Sequence, residues 1–267
     1  MPVPSSTRCR PVALREDALQ KNDEVLIVTG GSRGIGAAVV RKAALQGYAV
    51  CFSYAQNHDA ADDLISELQD AGCKVAAICG DVANPSLAKA LFDHAENELG
   101  HATALVNNAG ITGPIGPFKN ANITTLRQVV DTNLLGTMLV AQEALRRWEQ
   151  SSIAGRMVNI SSIASTLGAP NEYVHYAATK AGVEAFTIGL AKEVAASGIR
   201  VNAVAPGTVY TDIHAAAGEP DRPARVVSRV PMGRIGEVDE IANAVLWLLS
   251  NDASYVTGAV LRVSGGL

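Results

Sequence analysis

The chain has 267 residues, a net charge of −4 and a pI near 5.7. This length suits one large domain or two small ones. The acidic balance argues against a general nucleic-acid-binding surface, which would be basic. No run approaches the roughly 18 uninterrupted apolar residues of a membrane span, and the cysteines and histidines lack metal-ligand spacing. We therefore predict no metal site, no nucleic-acid partner and no membrane partner.

The first 22 residues differ from the rest of the chain. They contain three prolines and three arginines without hydrophobic periodicity, and no apolar signal-peptide core. The four cysteines of the chain form no CxxC pair, which suits a reducing compartment. We predict a flexible extension over residues 1–22, a single domain over residues 23–267, and a cytoplasmic protein.

From residue 24 onward, short apolar runs alternate with longer amphipathic segments. Apolar strands such as 25–28 and 201–204 are typical of a parallel sheet buried on both faces. The alternation predicts an α/β fold with a doubly wound, Rossmann-type parallel sheet of about seven strands and helices on both faces. The predicted strands cover residues 24–29, 48–54, 74–79, 103–107, 156–160, 199–205 and 259–263. The predicted helices run from the first glycine-rich turn to about residue 46, and over residues 58–71, 85–99, 123–148, 173–197 and 238–250.

A glycine-rich turn, from Thr29 to Gly36, separates the first strand from the first helix. Glycines permit a tight turn and close approach to a pyrophosphate, while the helix N-terminus supplies amide donors and a positive dipole end. An ordinary glycine-rich turn is the alternative, but its position directly after strand one favours nucleotide binding. The candidate cofactor-binding residues in this turn are Gly30, Ser32, Arg33, Gly34, Ile35 and Gly36.

The end of the second strand bears on the choice of nucleotide. NAD-selective sites usually place an acidic residue there, whereas residues 52–57 contain none and the first acid is Asp59. Arg33 in the glycine turn is suited to a 2′-phosphate through charge-assisted hydrogen bonds; a merely solvated arginine is the alternative. We favour NADP(H), with NAD(H) possible.

Tyr176 and Lys180 are four residues apart near the start of a predicted helix, so they share one helix face. A free tyrosine has a pKa near 10 and is a poor base at neutral pH. A neighbouring cation favours the phenolate and lowers that pKa. The pair alone is weak support for a site, since surface pairs with this spacing are common.

Two further polar features strengthen this interpretation. Ser161 and Ser162 follow the strand over residues 156–160, at the sheet edge where ligands gather, and a serine hydroxyl there suits a substrate oxygen. Strand-end capping is the alternative for one of the two serines. Asn133 interrupts an apolar helix, and a water chain to Lys180 would satisfy its amide if it is buried; a purely structural role is the alternative.

Together these motifs resemble the short-chain dehydrogenase/reductase family over residue 24 to the C-terminus. The features that carry the resemblance are Thr29–Gly36, Asn107-Asn108-Ala109-Gly110, Asn133, Ser162, Tyr176–Lys180, Pro206-Gly207 and Val256-Thr257-Gly258. Residues 161–176 are similar to the sugar-dehydrogenase-like and 3-oxoacyl-carrier-protein-reductase-like branches.

The resemblance implies a catalytic tetrad. In it Ser162 orients the substrate, Tyr176 is the acid/base, Lys180 holds the ribose and tunes Tyr176, and Asn133 supports a proton-relay water. Ser162 stands one residue farther from the tyrosine than the family pattern, which falls on Ile163. We keep Ser162 because the intervening loop can absorb an extra residue.

The resemblance also implies further cofactor contacts. Asp81 and Val82 are expected on the adenine side, Asn107 near a ribose, and the loop after strand six near the nicotinamide. The complete set of these expected contacts is Tyr54, Asp81, Val82, Asn107, Ala109, Gly110, Tyr176, Lys180, Pro206, Gly207, Val209 and Thr211.

Residues 208–236, with two prolines and mixed charges, are predicted to form a mobile lid over the substrate. Tyr210, His214 and Met232 are candidate pocket residues, although each equally suits solvent or the core. We read His175, beside Tyr176, as loop packing or substrate lining rather than a base.

The sequence therefore predicts an NADP(H)-dependent oxidoreductase that acts on a small-molecule carbonyl or secondary alcohol, of sugar or 3-oxoacyl type. A catalytically silent dinucleotide-binding sensor or scaffold is the alternative, and the complete tetrad disfavours it. The family pairs its two long helices between subunits, so the resemblance implies a homotetramer, with a dimer as the second choice.

Overall fold

The computed structural model describes residues 24–267 of the chain. The predicted extension over residues 1–22 lies outside the described residues and stays a prediction. No helix within the described part is both long and apolar enough to span a bilayer.

Seven parallel strands form one sheet, in the order β3-β2-β1-β4-β5-β6-β7. The strands are β1 (Val25–Val28), β2 (Ala49–Tyr54), β3 (Val75–Cys79), β4 (Ala102–Asn107), β5 (Arg156–Ile160), β6 (Arg200–Pro206) and β7 (Val260–Val263). The predicted fold class is confirmed. The order reverses between β1 and β4, and in open α/β sheets such a reversal opens a crevice at the carboxyl ends of the strands.

Helices cover both faces of this sheet. They are α1 (Gly34–Leu45), α2 (His58–Asp70), α3 (Pro85–Glu98), α4 (Ile123–Val130), α5 (Gly136–Gln150), α6 (Ala164–Leu167), α7 (Val174–Val194), α8 (Ile213–Ala216), α9 (Arg222–Val226) and α10 (Val238–Leu249). One buried apolar cluster packs α1, α2 and α10 on one face, and a second packs α3, α5 and α7 on the other. The central strands alternate between these two clusters, so each is apolar along its whole length.

The long predicted helix over residues 123–148 is interrupted. A π-helical segment, Asp131–Leu135, separates α4 from α5 and carries the fully buried Asn133. A one-residue expansion of the helix leaves the apolar periodicity almost unchanged, so the sequence pattern predicts a continuous helix. Such π-bulges are frequent at functional sites.

Residues 208–236 leave the sheet after β6 and cross the carboxyl ends of the strands. They contain the short helices α8 and α9. In the second half of the segment, Val226, Val230 and Ile235 pack together as a small buried apolar cluster. Gly236 donates its N–H to the Thr208 carbonyl at 3.0 Å, closing the base of this excursion. The segment has the position of the predicted lid, and its mobility stays a prediction.

Candidate active site

A groove of about 1160 Å³ runs along the carboxyl ends of the strands. The glycine turn after β1 lines one end, and residues of β5, α7 and the lid line the other. The predicted cofactor residues of the glycine turn and the predicted catalytic residues at the end of β5 and on α7 therefore border one continuous groove. Its position matches the crevice expected where the strand order reverses.

The glycine turn is built for close backbone packing. Gly30 and Gly34 have positive φ angles, of 64° and 55°. A Cβ atom on Gly36 would lie 2.2 Å from the Gly30 carbonyl oxygen, and one on Gly30 would lie 3.0 Å from the Ala109 Cα. Side chains at these positions would force the turn open. Helix α1 begins at Gly34, so its unpaired N–H groups and positive dipole end border the groove.

Hydrogen bonds join this turn to the loop after β4. The Thr29 hydroxyl accepts from the Asn108 and Ala109 N–H groups, at 3.0 and 3.1 Å. The Asn108 amide in turn donates to the Gly30 carbonyl at 2.9 Å. Asn108 belongs to a predicted motif but was not itself a predicted contact, and only the pairing of β1 with β4 reveals that it braces the turn.

Two predicted cofactor residues do not line the groove. Asn107 lies within the sheet, where its amide donates to the Asn159 side chain at 2.9 Å, and the expected ribose contact near it stays a prediction. Gly36 is buried beneath the turn, and its role is the close packing against Gly30. The predicted cofactor residues that do line the groove are Gly30, Ser32, Arg33, Gly34, Ile35, Tyr54, Asp81, Val82, Ala109, Gly110, Tyr176, Lys180, Pro206, Gly207, Val209 and Thr211.

The end of β2 borders the groove beside the glycine turn. Tyr54 and the three residues that follow it line this region, and none of them is acidic. Asn57 caps α2 by accepting from the Ala60 N–H at 3.1 Å. Arg33 is exposed and lines the same end. Within residues 24–267, its guanidinium makes no ion pair, so its donors remain available to a ligand.

Tyr176 and Lys180 lie on the groove-facing side of α7. Both are buried, and the Lys180 Nζ lies 5.7 Å from the centre of the Tyr176 ring. The ammonium also donates to the carbonyl of Ile160, the last residue of β5, at 2.7 Å. Burial lowers the pKa of Lys180 to about 8. The predicted pairing of a phenol with an amine is present in the folded chain.

The pKa of Tyr176 is shifted upward, whereas the neighbouring lysine was expected to lower it. Burial raises the pKa of this phenol, while hydrogen bonding to Ser162 and the positive charge of Arg222 act in the opposite direction. Burial outweighs both, because a phenolate loses its hydration there. The protein groups alone therefore favour the protonated phenol, which is the form that donates a proton.

The two serines after β5 have different surroundings. Ser162 lines the groove and interacts with Tyr176. Ser161 is almost fully buried and donates to the Glu184 carboxylate at 2.7 Å, which ties the end of β5 to α7. Ile163, which the family pattern selects by spacing, also faces the groove but has no hydroxyl. Ser162 is thus the hydroxyl placed beside the phenol.

Asn133 is held by protein groups. Its amide nitrogen donates to the Ile111 carbonyl and the Thr179 hydroxyl, at 2.8 and 3.1 Å, and its amide oxygen accepts from the Ile111 N–H at 2.8 Å. Contrary to the expectation, the side chain needs no water chain for its hydrogen bonds. These bonds hold the loop after β4 next to the Lys180 ammonium. A Cβ atom placed on Gly110 in this loop would lie 3.4 Å from the Lys180 Nζ.

Of the three candidate pocket residues in the lid, one lines the groove and two do not. His214 is buried in the groove wall, and its ring Nε2 donates to the Val209 carbonyl, 3.0 Å away. Burial lowers the pKa of His214. Tyr210 and Met232 are exposed and lie outside the groove. His175 contacts the Thr112 carbonyl at 2.9 Å and does not line the groove, which fits loop packing.

Three polar or charged residues near Tyr176 were not predicted as site residues. Glu172, Tyr173 and Arg222 line the groove near Tyr176. Glu172 and Arg222 are 50 positions apart in the chain, and their side chains bond at 2.6 Å. Mixed charges in the lid were visible in the sequence, but a pairing over this separation depends on the tertiary fold.

Comparisons with known proteins agree with this geometry. A family model described as enoyl-(acyl carrier protein) reductase matches residues 30–267. The uncharacterized oxidoreductase YgfF of Escherichia coli is 43% identical to this chain, over 91% of the chain and 99% of the relative. A cis-4-hydroxycyclohexanecarboxylate dehydrogenase of Sinomonas cyclohexanicum is 40% identical, over 91% and 96%. This chain belongs to the short-chain dehydrogenase/reductase family.

A solved structure extends the likeness from sequence to shape. The crystal structure of a variant of actinorhodin polyketide ketoreductase with NADPH superposes with a TM-score of 0.85. The two proteins are 32% identical, over 92% of this chain and 98% of the other. In the present chain, the glycine turn and the long groove suit a nicotinamide dinucleotide.

The buried amine of this short-chain dehydrogenase/reductase leads to a prediction about stability. The folded pKa of Lys180, about 8, lies below its ordinary value of 10.5, so the unfolded state binds more protons between these values. The free energy of unfolding therefore gains from this group as pH rises from about 8 toward 10.5. We expect wild type to gain on the order of 2–3 kcal/mol relative to Lys180→Met over this window.

Chemical denaturation of both proteins at pH 7 to 10 measures this difference. Subtracting the free energy of unfolding of Lys180→Met from that of wild type at each pH removes the contribution of the groups that titrate in both proteins. Lys89→Met is the control, because Lys89 is an exposed lysine paired with Asp93 on α3. A wild-type minus Lys180→Met difference that does not change with pH would contradict the lowered pKa.

Proposed function

We propose that this protein is an NADP(H)-dependent oxidoreductase that interconverts a small-molecule carbonyl and the corresponding alcohol. One observation carries the proposal: the Tyr176 phenol, the Ser162 hydroxyl and the Lys180 ammonium meet on one wall of the groove. The glycine turn lies at the other end of the same groove. Proton-transfer groups and a dinucleotide site therefore share one space.

Each residue of this wall has a distinct task. When bound, the cofactor accepts or delivers the hydride. Ser162 donates a hydrogen bond to the substrate oxygen, where negative charge develops during reduction. Tyr176 gives its proton to that oxygen in reduction and takes it back in alcohol oxidation. Lys180 holds the ribose and supplies positive charge below the phenol.

Asn133 supports this wall from behind. Its bonds to Ile111 and Thr179 fix the loop after β4 against Lys180. A proton-relay water near Asn133 and Lys180 is part of the proposal, as the family resemblance implies. The π-helical segment that carries Asn133 turns its amide away from the regular helix register and toward that loop.

Two features support NADP(H) over NAD(H). The end of β2 presents no carboxylate to the groove, so no acidic side chain there accepts hydrogen bonds from a ribose 2′-hydroxyl or repels a 2′-phosphate. Arg33 lines the same groove, and its guanidinium has no ion-pair partner among residues 24–267. The related ketoreductase structure contains NADPH. NAD(H) remains a second cofactor in this proposal.

The substrate class follows from the chemistry of the wall. A single acid/base phenol and a hydride donor act on a ketone or a secondary alcohol. Two of the named relatives are, by their names, a cis-4-hydroxycyclohexanecarboxylate dehydrogenase and a polyketide ketoreductase. For this chain we propose a sugar-type or 3-oxoacyl-type carbonyl or a related ring alcohol. A screen of such substrates with both cofactors narrows the class directly.

The acid/base role of Tyr176 is tested by Tyr176→Phe. We expect turnover to fall by about 10²- to 10⁴-fold, because the phenol supplies the proton that the substrate oxygen takes up. Affinity for NADPH, measured by fluorescence titration, should stay close to wild type. Tyr48→Phe is the matched control, since Tyr48 is also buried but precedes β2 at the opposite end of the sheet. Full turnover by Tyr176→Phe would refute the mechanism.

Cofactor preference is tested by Arg33→Gln. A charge-assisted hydrogen bond contributes about 1.5–3 kcal/mol, so kcat/KM for NADPH should fall roughly tenfold to hundredfold. The value for NADH should not change. Arg41→Gln is the control, because Arg41 lies farther along on α1 and pairs with Glu67 outside the groove. An equal loss with both cofactors would argue against a 2′-phosphate contact.

We also propose a cytoplasmic homotetramer, with a dimer as the second choice. Apolar side chains of Val130, Leu135 and Ile188, on the long helical region and on α7, are 40–45% exposed in the single chain. Burial between subunits would remove them from water. We expect light scattering at micromolar concentration to give four times the chain mass. A monomer under these conditions would overturn this assignment.

A further inference from the structure

An ion-pair cluster joins the lid to the loop before α7. We call Glu172, Glu219, Arg222 and Arg225 the lid cluster. Arg222 donates twice to one oxygen of the Glu172 carboxylate, at 2.6 and 3.0 Å, and Arg225 donates to the other oxygen at 2.7 Å. Arg225 also pairs with Glu219. The Glu172 and Arg222 side chains are only 13% and 12% exposed, so solvent screens this pair weakly.

Arg222 connects the lid cluster to the catalytic phenol. Its guanidinium lies over the Tyr173 ring, 5.2 Å from the ring centre. The Tyr173 ring meets the Tyr176 ring edge-on, with centres 5.3 Å apart. All three side chains line the groove. The contacts therefore form a continuous path from the lid to the acid/base residue.

The charges in this path favour the same arrangement. Burial raises the pKa of Glu172, but hydrogen bonds from Arg222 and Arg225 lower it below the ordinary value, so the carboxylate stays charged. The groups that face Tyr176 are Lys180 on α7, Tyr173 before it and Arg222 from the lid, together with the Ser162 hydroxyl. Arg222 is thus the positive charge that the lid itself contributes.

We propose that Arg222 and Glu172 are positioning residues that couple closure of the lid to proton transfer by Tyr176. Glu172 anchors Arg222, and Arg222 holds Tyr173 against Tyr176 while it brings a positive charge to that side of the phenol. The inference rests on the proposed function of Tyr176. A substrate enclosed by the lid thereby meets a correctly oriented phenol, and an open lid leaves Tyr173 without its cation.

Backbone bonds hold the same segments together without these side chains. The Ile115 N–H donates to the Ala217 carbonyl at 3.1 Å, and the Gly116 N–H donates to the Glu172 carbonyl at 2.8 Å. Substitutions in the lid cluster therefore remove charge and orientation but leave this framework. Folded variants can be expected for that reason.

The test compares Arg222→Gln with Arg222→Lys in the reductase direction. Reduction needs the protonated phenol, so the rate falls as pH rises through the Tyr176 pKa. Loss of the Arg222 charge raises that pKa, and the alkaline limb of the kcat profile should move upward by roughly half a pH unit. We expect kcat of Arg222→Gln to fall about tenfold to hundredfold through lost orientation. Arg222→Lys should keep the alkaline limb near its wild-type position.

Glu172→Gln separates orientation from charge. It retains Arg222 but removes its anchor, so kcat should fall without the upward shift of the alkaline limb. The double variant Glu172→Gln/Arg222→Gln should lose no more kcat than the Arg222 variant, because the two residues act through one contact. Arg234→Gln, which removes a lid arginine outside the groove that pairs with Glu240, is the control.

The outcomes distinguish this inference from the proposed function. An inactive Tyr176→Phe with wild-type kcat and pH profile in Arg222→Gln would overturn only the positioning role. A rise in KM with an unchanged pH profile would also overturn it, because Arg222 would then act as a substrate contact. Full activity of Tyr176→Phe would instead overturn the proposed function. If Arg222→Gln does not fold, the Arg222→Lys and Glu172→Gln profiles decide the question.

Discussion

The active site depends on one buried hydrogen bond, from the Lys180 ammonium to the Ile160 carbonyl. It joins α7 to the end of β5 and so places Tyr176 beside Ser162. The amine lies in a region where burial disfavours charge, and its pKa falls to about 8. A buried cation needs partners to remain in place, and the carbonyl at the strand end supplies one. The separate motifs of the chain become one site because of this contact.

The two ends of the groove solve different physical problems. At the glycine turn, backbone atoms pack so closely that a Cβ atom on Gly36 would lie 2.2 Å from a carbonyl oxygen. The result is a tight backbone turn that leaves the unpaired N–H groups at the start of α1 bordering the groove. At the other end, side chains provide a hydroxyl, a phenol and an amine at fixed positions. The parallel sheet brings both ends to one edge because every strand points the same way.

The lid adds charge to a wall that is otherwise mostly neutral. The two arginines of the lid cluster pair with its two carboxylates, so the cluster carries no net charge although it lies against the groove. Such pairing avoids the cost of burying a lone ion. It also fixes the geometry of Arg222, since two of its donors reach a single carboxylate oxygen. Orientation of Tyr173 over the catalytic phenol is a consequence.

The sequence by itself determined the fold class, the glycine turn and the pairing of Tyr176 with Lys180, because each depends on periodicity or on spacings within a few residues. Tertiary structure alone decided that Asn107 faces Asn159 instead of the groove, that Asn108 braces the turn, and that Glu172 reaches Arg222. It also decided the direction of the Tyr176 pKa. These features depend on burial and on contacts between segments distant in the chain, which local patterns do not encode.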